Sequence, residues 1–291
     1  MKPAPFDYYA PTSVEQALDN VAQLGYDAKI LAGGQSLIPT MNFRLAQPAS
    51  LIDLNNIPEL FYIHPLDDGG VLIGAMTRQS TVERDPLIAQ RAPLVRAAMP
   101  YIAHPQIRTR GTFGGSIAHA DPAAELPAVT VALGARYRVR NKTGERWIAA
   151  EEFFISLFTT SLQPDEVLVE IALPPMPPHS GWSFQEVARQ SGAYGLAGVA
   201  SLVTLDDKKR CQQVRIVFLS CGERPMLAQH AAKTLVGQVP TSEAIRAAAE
   251  AAAKDDIDPS SDIHASAAYR RHLVKVLAVR ALTQAFQRAN P

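Results

Sequence analysis

Cysteine is scarce in this sequence of 291 residues, and its scarcity excludes several kinds of redox and metal chemistry. The two cysteines, Cys211 and Cys221, cannot supply the four thiolates of an iron–sulfur cluster, and they form no C-x-x-C pair. Both flank the apolar run 214–220, so we predict that they are buried free thiols. The seven histidines are scattered, with no two at helical ligand spacing near a third ligand, so we predict no metal site.

Long apolar runs and an excess of charge of either sign are also missing. No apolar run reaches the roughly 20 residues of a membrane-spanning helix, so we predict no membrane span. Lysine plus arginine number 28 and aspartate plus glutamate number 28, so no overall positive field would attract nucleic acid. Residues 1–10 lack the segments of a secretory signal, and we expect a cytoplasmic protein. Hydrophobic residues make up 47% of the chain, enough to build the cores of two domains.

The first half of the sequence carries signals for mixed helices and strands. Thr12 and Glu15 match a T-x-x-E capping box, which predicts the start of the first helix. Prolines are expected to break a helical stretch over 81–103. A further helix is predicted to start at Asp121-Pro122, since Asp suits the N-cap and Pro the first helical position. Strands are predicted at 29–32, 51–54, 61–64, 71–75, 136–140 and 167–173.

A proline-rich segment at 174–181 separates this half from a region with a different pattern. Four prolines within five residues cannot belong to a central strand or a helix, so we predict a linker there. Apolar runs joined by short turns then predict an antiparallel meander with strands at 182–188, 199–205 and 214–220. Helices are predicted at about 228–235, 242–254 and 269–289, the last with an apolar stripe.

Two glycine-rich segments carry the strongest signal for chemistry. The first glycine loop (residues 32–37) reads Ala-Gly-Gly-Gln-Ser-Leu, and the second glycine loop (residues 112–116) reads Thr-Phe-Gly-Gly-Ser. Glycine lets backbone N–H groups approach an anion closely, and Ser36, Thr112 or Ser116 can add a hydroxyl donor. Neither loop matches G-x-x-x-x-G-K-[ST] or G-x-G-x-x-G. The pair indicates a pyrophosphate held from both sides, unless each glycine pair only makes a tight turn.

Residues around the glycine pairs complete a family pattern. The chain reads Ala-Gly-Gly-Gln-Ser-Leu-Ile-Pro at 32–39, Leu-Ile-Asp-Leu at 51–54 and Ile-Gly-Ala-Met-Thr at 73–77. It continues with Arg-Gly-Thr-Phe-Gly-Gly-Ser-Ile-Ala-His-Ala-Asp-Pro at 110–122 and Ser-Asp-Ile-His-Ala-Ser at 261–266. In this order the motifs resemble the FAD-binding medium subunit of the xanthine dehydrogenase and carbon monoxide dehydrogenase family, also called molybdenum hydroxylases. The resemblance extends over nearly the whole chain.

The resemblance implies an α+β fold in which FAD lies between the parts of the chain. Residues 1–176 would form a two-lobed FAD-binding domain, vanillyl-alcohol-oxidase-like, with lobes at about 1–55 and 56–176. Residues 177–291 would form a C-terminal domain with a three-stranded antiparallel sheet and a helical bundle. The linker predicted at 174–181 fits this boundary.

The resemblance also implies which residues bind FAD, and it implies no catalytic acid, base or nucleophile. The two glycine loops would hold the pyrophosphate region, and Asp121 and Glu125 would lie on the ribityl, ribose or adenine side. Leu168 would pack near the ring system, and Tyr194 would lie close to the isoalloxazine. The expected cofactor-binding residues are Ala32, Gly33, Gly34, Gln35, Ser36, Leu37, Thr77, Gly111, Thr112, Gly114, Gly115, Ser116, Ala120, Asp121, Glu125, Leu168 and Tyr194.

Assemblies of this kind divide their cofactors among subunits. A large subunit carries molybdenum and a pterin, a small subunit carries two [2Fe–2S] clusters, and FAD passes their electrons to an external acceptor. The resemblance thus implies an oxidoreductase subunit in a heterotrimer, in a dimer of heterotrimers. Two other interpretations remain open: a stand-alone FAD-dependent oxidoreductase that acts directly on a small organic substrate, and a non-enzymatic interaction protein.

Three positions depart from patterns common in the family. Gln35 occupies a position that is His in carbon monoxide dehydrogenases, which favours an N-heterocycle, an aromatic acyl thioester or an aldehyde over CO as the substrate. Glu186 stands where many relatives have lysine, and Ala193 stands where many have aspartate. Both of these replacements change the charge near the expected edge of the flavin.

Overall fold

The computed structural model describes residues 2–290, which form three main sheets, a two-stranded ribbon and the helices that cover them. The strands are β1 (Asp7–Tyr9), β2 (Ala28–Leu31), β3 (Ser50–Asp53), β4 (Ile63–Pro65), β5 (Val71–Gly74), β6 (Arg136–Asn141), β7 (Gly144–Ala149), β8 (Phe154–Ser156), β9 (Thr159–Thr160), β10 (Val167–Leu173), β11 (Ser180–Ala188), β12 (Gly195–Leu205), β13 (Cys211–Leu219) and β14 (Met226–Leu227). The α-helices are α1 (Val14–Leu24), α2 (Leu37–Asn42), α3 (Gln79–Arg84), α4 (Pro86–Arg91), α5 (Pro93–Ala98), α6 (Pro105–Arg108), α7 (Phe113–His119), α8 (Glu125–Leu133), α9 (Ala150–Phe153), α10 (Gln229–Leu235), α11 (Ser242–Ala251) and α12 (Ala267–Ala289). Short 3-10 helices lie at Gly25–Asp27, Leu54–Asn56, Pro58–Leu60 and Met99–Tyr101, and a π-helical turn lies at Ala252–Asp256.

The first sheet is parallel, with β3 between β1 and β2. All four residues of β3 are buried, and α1 packs against it. The prediction that Thr12 caps α1 is wrong by one residue: Ser13 is the N-cap, and its hydroxyl accepts the Gln16 N–H at 3.2 Å. Because the Gln16 side chain in turn accepts the Thr12 N–H at 2.9 Å, the start of α1 is still held reciprocally by side chains.

The second sheet is antiparallel, in the order β4-β5-β10-β6-β7. β10 lies at its centre with every residue buried, which accounts for its unbroken apolar sequence. The helical stretch over 81–103 is broken as predicted, since Pro86 and Pro93 each begin a new helix. β7 was not predicted, because five of its six residues are exposed and the sequence shows no clean apolar alternation.

The helix predicted to start at Asp121-Pro122 starts instead at Glu125. Asp121 accepts the Ala123 N–H at 2.9 Å, so its side chain caps a turn and not a helix. The Pro122 carbonyl accepts the Ser220 N–H at 2.8 Å. Because Ser220 directly follows β13, this long-range hydrogen bond holds the segment as a turn outside α8.

The third sheet is an antiparallel meander in the order β11-β12-β13-β14. Its three long strands confirm the predicted three-stranded sheet, and the two residues of β14 add a short edge. α12 crosses β11 and β12, and α10 and α11 complete the helical layer. β11 begins at Ser180, so the linker ends before residue 180 and is shorter than the predicted 174–181.

Three hydrophobic clusters form the interior. The largest surrounds the second sheet and includes Phe184, Ala200 and Val217 of the third sheet, so the two sheets share one packed interface. Cys211 and Cys221 lie in the cluster beneath α10–α12, and both are buried and free, as predicted. The mixture of sheets and helices confirms the α+β class. Within residues 2–290, no helix is long and apolar enough to cross a membrane.

Candidate functional site

The first glycine loop connects β2 to α2 and is half-buried along its length. Gly34 has a φ of 73°, in the left-handed region that favours glycine. The backbone N–H groups of residues 33–36 donate to no acceptor among residues 2–290. The loop therefore presents a row of free amides, and Ser36 adds a hydroxyl group beside them.

The second glycine loop begins α7 and is mostly buried. The four N–H groups of residues 113–116 all donate to protein acceptors at distances of 2.8 to 3.3 Å. The acceptors are the carbonyls of Thr77, Ala75 and Thr112 and the hydroxyl of Thr112. The backbone N–H groups of this loop are thus used in hydrogen bonds within the protein. The hydroxyl of Ser116 is the donor that remains for a ligand.

The first glycine loop lies directly against the second glycine loop and against the residues that precede it. A Cβ atom added to Gly33 would lie 2.5 Å from the Arg110 carbonyl oxygen and 2.7 Å from the Gly111 Cα. A Cβ atom added to Gly115 would lie 3.2 Å from the Cβ of Ala32. At Gly33 only glycine permits so close an approach, and the free amides of the first loop consequently lie beside the start of α7.

Arg78 and Asn55 join the two loops, and the sequence analysis missed both. The Arg78 guanidinium donates to the Arg110 carbonyl at 2.6 Å and to the Asn55 side-chain oxygen at 2.6 Å. Asn55 Nδ2 donates to the Ala32 carbonyl at 2.8 Å. These side chains therefore connect the backbone of Ala32, in the first loop, to that of Arg110, two residues before the second loop. Their positions in the sequence could have identified them, because Asn55 directly follows the motif at 51–54 and Arg78 directly follows the motif at 73–77.

Asp121, Glu125 and Tyr194 are neighbours, although Tyr194 is distant in sequence. Glu125 is the first residue of α8 and is only 8% exposed. Burial raises its pKa to about 7, and Asp121 adds to this effect against the opposing influence of its own backbone N–H and of Arg108. Tyr194 lies between β11 and β12 with 70% of its surface exposed. Partial burial of the hydroxyl and then the carboxylates of Asp121 and Glu125 raise the pKa of Tyr194, which keeps it a proton donor.

Two histidines near these residues make structural contacts. A Cβ atom added to Gly192, which has a φ of 79°, would lie 2.5 Å from Cε1 of His104, so the segment before Tyr194 packs directly on that ring. The ring of His119, at the end of α7, lies 5.1 Å from the ring of Phe158. Burial lowers the pKa of His119, although Asp121 opposes the change, so this imidazole is neutral at pH 7.

Thr77 and Leu168, also expected to bind the cofactor, are buried. The Thr77 hydroxyl donates to the Tyr62 carbonyl at 2.9 Å and accepts the Tyr62 N–H at 3.1 Å. The Thr77 carbonyl accepts the Phe113 N–H at 2.9 Å, so this residue supports the second glycine loop from behind. Leu168 is 6% exposed and belongs to the cluster around the second sheet. Ala120 is buried too, and it ends α7 with a φ of 52°.

This set of groups fits the FAD that the resemblance implies. The free amides and the hydroxyl of Ser36 are donors suited to phosphate oxygens, and the glycines form a cradle that Cβ atoms would fill. Carboxylates such as Asp121 and Glu125 accept hydrogen bonds from ribose hydroxyls or from an adenine amino group. The site combines donors for an anion with acceptors for sugar or base, which is the pattern a dinucleotide requires.

Two family models together match most of the chain. Residues 4–176 match the FAD binding domain in molybdopterin dehydrogenase, and residues 182–285 match the CO dehydrogenase flavoprotein C-terminal domain. The 6-hydroxypseudooxynicotine dehydrogenase complex subunit alpha of Paenarthrobacter nicotinovorans is 43% identical over 100% of this chain and 98% of its own length. The nicotine 6-hydroxylase medium subunit of the same organism is 41% identical over 98% of this chain and 99% of its own.

A solved structure shares the whole fold. A chain of the carbon monoxide dehydrogenase from Hydrogenophaga pseudoflava, in a form that lacks the Mo-pyranopterin moiety of the molybdenum cofactor, superimposes with a TM-score of 0.96. The two sequences are 38% identical, and the match covers 99% of each chain. The similarity therefore includes both the part that carries the glycine loops and the third sheet, where Tyr194 lies between β11 and β12.

Proposed function

Because this chain belongs to the FAD-binding subunits of the xanthine dehydrogenase and carbon monoxide dehydrogenase family, which are oxidoreductases, we propose that it is the electron-transfer subunit of a molybdenum hydroxylase. The predicted family, fold and FAD cofactor are confirmed by this membership. When bound, FAD supplies the redox chemistry, accepting electrons from [2Fe–2S] clusters of a partner subunit and passing them to an external acceptor. The protein's own contribution is to bind and orient that cofactor.

The observation that carries this proposal is the contact between the two glycine loops, with free amides on one of them. We assign the pyrophosphate to the N–H groups of residues 33–36 and to the hydroxyls of Ser36 and Ser116. Asp121 and Glu125 accept hydrogen bonds on the ribityl, ribose or adenine side. Leu168 and Tyr194 lie toward the ring system. The remaining expected cofactor-binding residues belong to the two glycine loops, to the end of α7 or to residues that pack directly against the loops.

The burial of both thiols in this chain supports the proposal that a partner subunit binds the iron–sulfur clusters. Burial raises the pKa of Cys211 and of Cys221 to about 12, so both remain protonated and unsuited to bind iron. We assign the clusters to a small partner subunit, and molybdenum with its pterin to a large one. We propose a dimer of such heterotrimers, with FAD bound by residues 1–176 of this chain and closed over by residues 177–291.

Exposed apolar side chains near the site support a permanent partner. Ile155, Leu157 and Phe158, on the β8–β9 ribbon, are each more than half exposed. Phe158 reaches His119, at the end of the helix that begins in the second glycine loop. Three exposed large apolar residues in four positions are costly on a free surface, and we assign this ribbon to the contact with the iron–sulfur subunit.

We propose an N-heterocycle as the substrate class of the assembled enzyme. Gln35 replaces the histidine found in carbon monoxide dehydrogenases, and two of the relatives compared above are named for nicotine and for 6-hydroxypseudooxynicotine. Assay of the complex against CO, aldehydes and N-heterocycles tests this choice. Turnover of CO at a rate above that of every heterocycle would overturn it.

An absorbance spectrum of the chain purified with its native partners tests the central proposal. Flavin bands with additional iron–sulfur absorption, and release of the flavin as FAD on denaturation, are the expected result. Mixing the complex with its substrate should bleach both sets of bands. The same experiment on the chain alone should give flavin bands without iron–sulfur absorption and no turnover of organic substrates.

Two outcomes would overturn the central proposal in different ways. A flavin-bearing chain that purifies alone and oxidises a small organic substrate would be a stand-alone FAD-dependent oxidoreductase. A chain that binds no flavin in any form, alone or with partners, would leave the glycine loops as structural turns.

A further inference from the structure

The segment at 261–266 is one of the motifs that carry the resemblance, and it directly precedes α12. Asp262 fixes its shape, because Oδ1 accepts the N–H groups of His264 at 2.8 Å and of Ala265 at 2.9 Å. The Asp262 N–H also donates to the Ala265 carbonyl at 3.0 Å. The other carboxylate oxygen, Oδ2, accepts a hydrogen bond from Arg270 at 2.7 Å. This motif therefore holds a carboxylate in place for a guanidinium.

Arg270 lies in the first turn of α12 and is only 7% exposed. A buried guanidinium is costly unless hydrogen bonds satisfy it, and Nε of Arg270 has no partner among residues 2–290. Its Nη1 donates to the carbonyl of Leu196 and, at 3.2 Å, to the carbonyl of Ser220. With the bond to Asp262, one side chain joins three segments that are far apart in the sequence. Arg270, Asp262, Leu196 and Ser220 together form the Arg270 network.

Two members of this network adjoin residues of the candidate site. Leu196 is the second residue of β12 and follows Tyr194 by two positions. Ser220 has a φ of 59°, a left-handed conformation that is unfavourable for a residue with a side chain. Its N–H donates at 2.8 Å to the carbonyl of Pro122, the residue after Asp121. The network therefore connects the part of the site that contains Tyr194 to the part that contains Asp121.

The Tyr194 turn (residues 189–194) connects β11 to β12 and is largely exposed. Inside the turn the Ala193 N–H donates to the Gln190 carbonyl at 3.1 Å. The Arg189 guanidinium donates to Nδ1 of His264 at 3.1 Å, so the motif before α12 also holds the start of the turn. Because the turn is short and exposed, the position of its tyrosine ring depends on contacts from outside the turn.

We infer that Arg270 is a positioning residue, which keeps the Tyr194 turn at a fixed position relative to Asp121. This inference rests on the proposed function, because it assigns Tyr194 to the ring system of FAD. In this role Arg270 acts through the carbonyls of Leu196 and Ser220, and Asp262 orients its guanidinium. A lysine could not replace it, since a single ammonium group lacks the planar fork that reaches several acceptors at once.

Two properties separate positioning from a general stabilisation of the fold. A residue that only stabilises the fold should, when removed, speed the opening of the whole chain, whereas loss of a positioning residue should loosen the Tyr194 turn alone. A displaced Tyr194 should also change the emission of bound FAD. The phenol ring of tyrosine quenches flavin fluorescence at close range, and the phenyl ring of phenylalanine does not.

Amide hydrogen exchange of the full chain without FAD tests the first property. Arg270→Met keeps an unbranched apolar stem and removes every donor, so exchange in residues 190–196 should become about tenfold faster, the value of one hydrogen bond from a charged group. Exchange in β10 should stay as in the wild type. Arg271→Met is the matched control, since Arg271 donates to the Ala253 carbonyl at 2.7 Å, and its loss should leave exchange in the Tyr194 turn unchanged.

Asp262→Asn is a milder variant that keeps the test decisive if Arg270→Met does not fold. An asparagine oxygen still accepts the N–H groups of His264 and Ala265, but the charge that orients Arg270 is lost. Exchange in the Tyr194 turn should rise about two- to threefold. Unchanged exchange in the turn in both variants, or equal acceleration in the turn and in β10, would overturn the inference.

The fluorescence of FAD bound to the full chain tests the second property. Tyr194→Phe should raise the emission, and Arg270→Met should raise it toward the same level, whereas Arg271→Met should emit as the wild type does. The variant that combines Arg270→Met with Tyr194→Phe should emit no more than Tyr194→Phe alone, because both changes act through one ring.

Two results would separate a failure of this inference from a failure of the proposed function. An additive rise of emission in the combined variant would overturn a role of Arg270 through Tyr194 while the proposed function stands. Faster exchange of the Tyr194 turn in Arg270→Met, in a chain that binds no FAD in any variant, would confirm the Arg270 network and overturn both its role toward the flavin and the proposed function.

Discussion

The two glycine loops share a Gly-Gly pair and a nearby serine, but they use their backbones in opposite ways. In the first loop the amides of residues 33–36 have no acceptor in the described part of the chain, and the loop is half-buried. In the second loop all four amides from residue 113 to 116 are bonded within the protein. A Gly-Gly pair followed by a hydroxyl residue therefore does not reveal whether its amides serve a ligand or the fold. What decides is whether a neighbouring carbonyl is available to accept them.

This difference leads to a general expectation. Changes in the first loop should alter the affinity for FAD more than the stability of the chain. Changes in the second loop should alter stability more than affinity. Changes to the side chains that join the loops should affect both quantities, and these are expected to be the largest effects.

Arg78→Ala should have the largest effect, because Arg78 connects the two loops. It removes hydrogen bonds to the Arg110 carbonyl and to Asn55, and each such bond from a charged group contributes about 1.5–3 kcal/mol. We expect the free energy of unfolding to fall by about 3 kcal/mol and the FAD dissociation constant to rise by at least about tenfold. Urea unfolding and FAD titration measure the two quantities.

Arg78→Lys is the matched control for this change. A lysine keeps the charge, but its single ammonium group lacks the planar fork that reaches two acceptors at once. Intermediate losses in both quantities are therefore expected. Wild-type stability and affinity in Arg78→Ala would show that the loops are held together by their backbone contacts alone.

Gly114→Ala, in the second loop, should lower the stability of the chain and leave its affinity for FAD nearly unchanged. An added Cβ atom would lie 2.6 Å from the Cβ of Ala75 and 2.7 Å from its carbonyl oxygen, inside a fully packed region. Overpacking of this kind costs about 1–3 kcal/mol, and we expect about 2 kcal/mol here. The fraction that remains folded should bind FAD within about threefold of the wild type.

The same substitution at Gly144 tests whether the cost is steric. A Cβ atom there would meet no atom within 4 Å. Gly144→Ala should therefore change the free energy of unfolding by no more than about 0.5 kcal/mol. If both variants lost equal stability, the close contact with Ala75 would not be the cause.

Gly34→Ala should show the opposite pattern, with a smaller total effect. Gly34 has a φ of 73°, and a side chain in the left-handed region costs about 1–2 kcal/mol. Without FAD the first loop has few internal hydrogen bonds and can relax, so the unfolding free energy should change little. With FAD the loop must adopt the strained conformation, and the dissociation constant should rise about tenfold.

Gly134→Ala provides a control with a similar backbone strain but without the 3.2 Å contacts that a Cβ atom at position 34 would make with the side chains of Leu31 and Ile38. Gly134 has a φ of 68°, and an added Cβ atom would meet nothing within 4 Å. It ends α8, where its N–H donates to the Val131 carbonyl at 3.0 Å, so the conformation is fixed by the helix. The cost of about 1 kcal/mol should therefore appear in stability and not in affinity. If Gly134→Ala also lost affinity for FAD, strain at the end of α8 would affect the site, and the loss in Gly34→Ala could not be assigned to the first loop.

The sequence predicted which segments form the candidate site but not how their backbones are used. Composition, the glycine pairs and the family motifs pointed to both loops, the acidic pair Asp121 and Glu125, and Tyr194, and the binding of FAD by these residues stays a prediction. They did not reveal that the amides of the second loop are occupied. For the amides of residues 113 and 114 that fact depends on the Thr77 and Ala75 carbonyls, which come from the residues just after β5.

Long-range hydrogen bonds account for the other errors. Asp121-Pro122 has the local signature of a helix start, but the Ser220 N–H binds the Pro122 carbonyl and holds a turn. The role of Arg78 likewise depends on Asn55 and Arg110, which no local pattern pairs with it. The periodicity of the sequence predicted whether a segment is a helix or a strand. The hydrogen-bond partners that fix where a helix starts, or that hold the two loops together, come from distant parts of the chain.

The smallest expected effects come from one hydroxyl in each loop, and they test the comparison most directly. Thr112 is the N-cap of α7, and its hydroxyl accepts the Gly115 N–H at 3.1 Å, so Thr112→Ala should lower the free energy of unfolding by about 1 kcal/mol. Thr112→Ser keeps the cap and should retain most of that stability.

Ser36 caps nothing, since its hydroxyl makes no hydrogen bond among residues 2–290. Ser36→Ala should therefore leave stability unchanged and raise the FAD dissociation constant by about three- to tenfold, the value of one hydrogen bond. Should Thr112→Ala weaken FAD binding as much as Ser36→Ala does, the two loops would share the anion equally and the contrast between them would be lost.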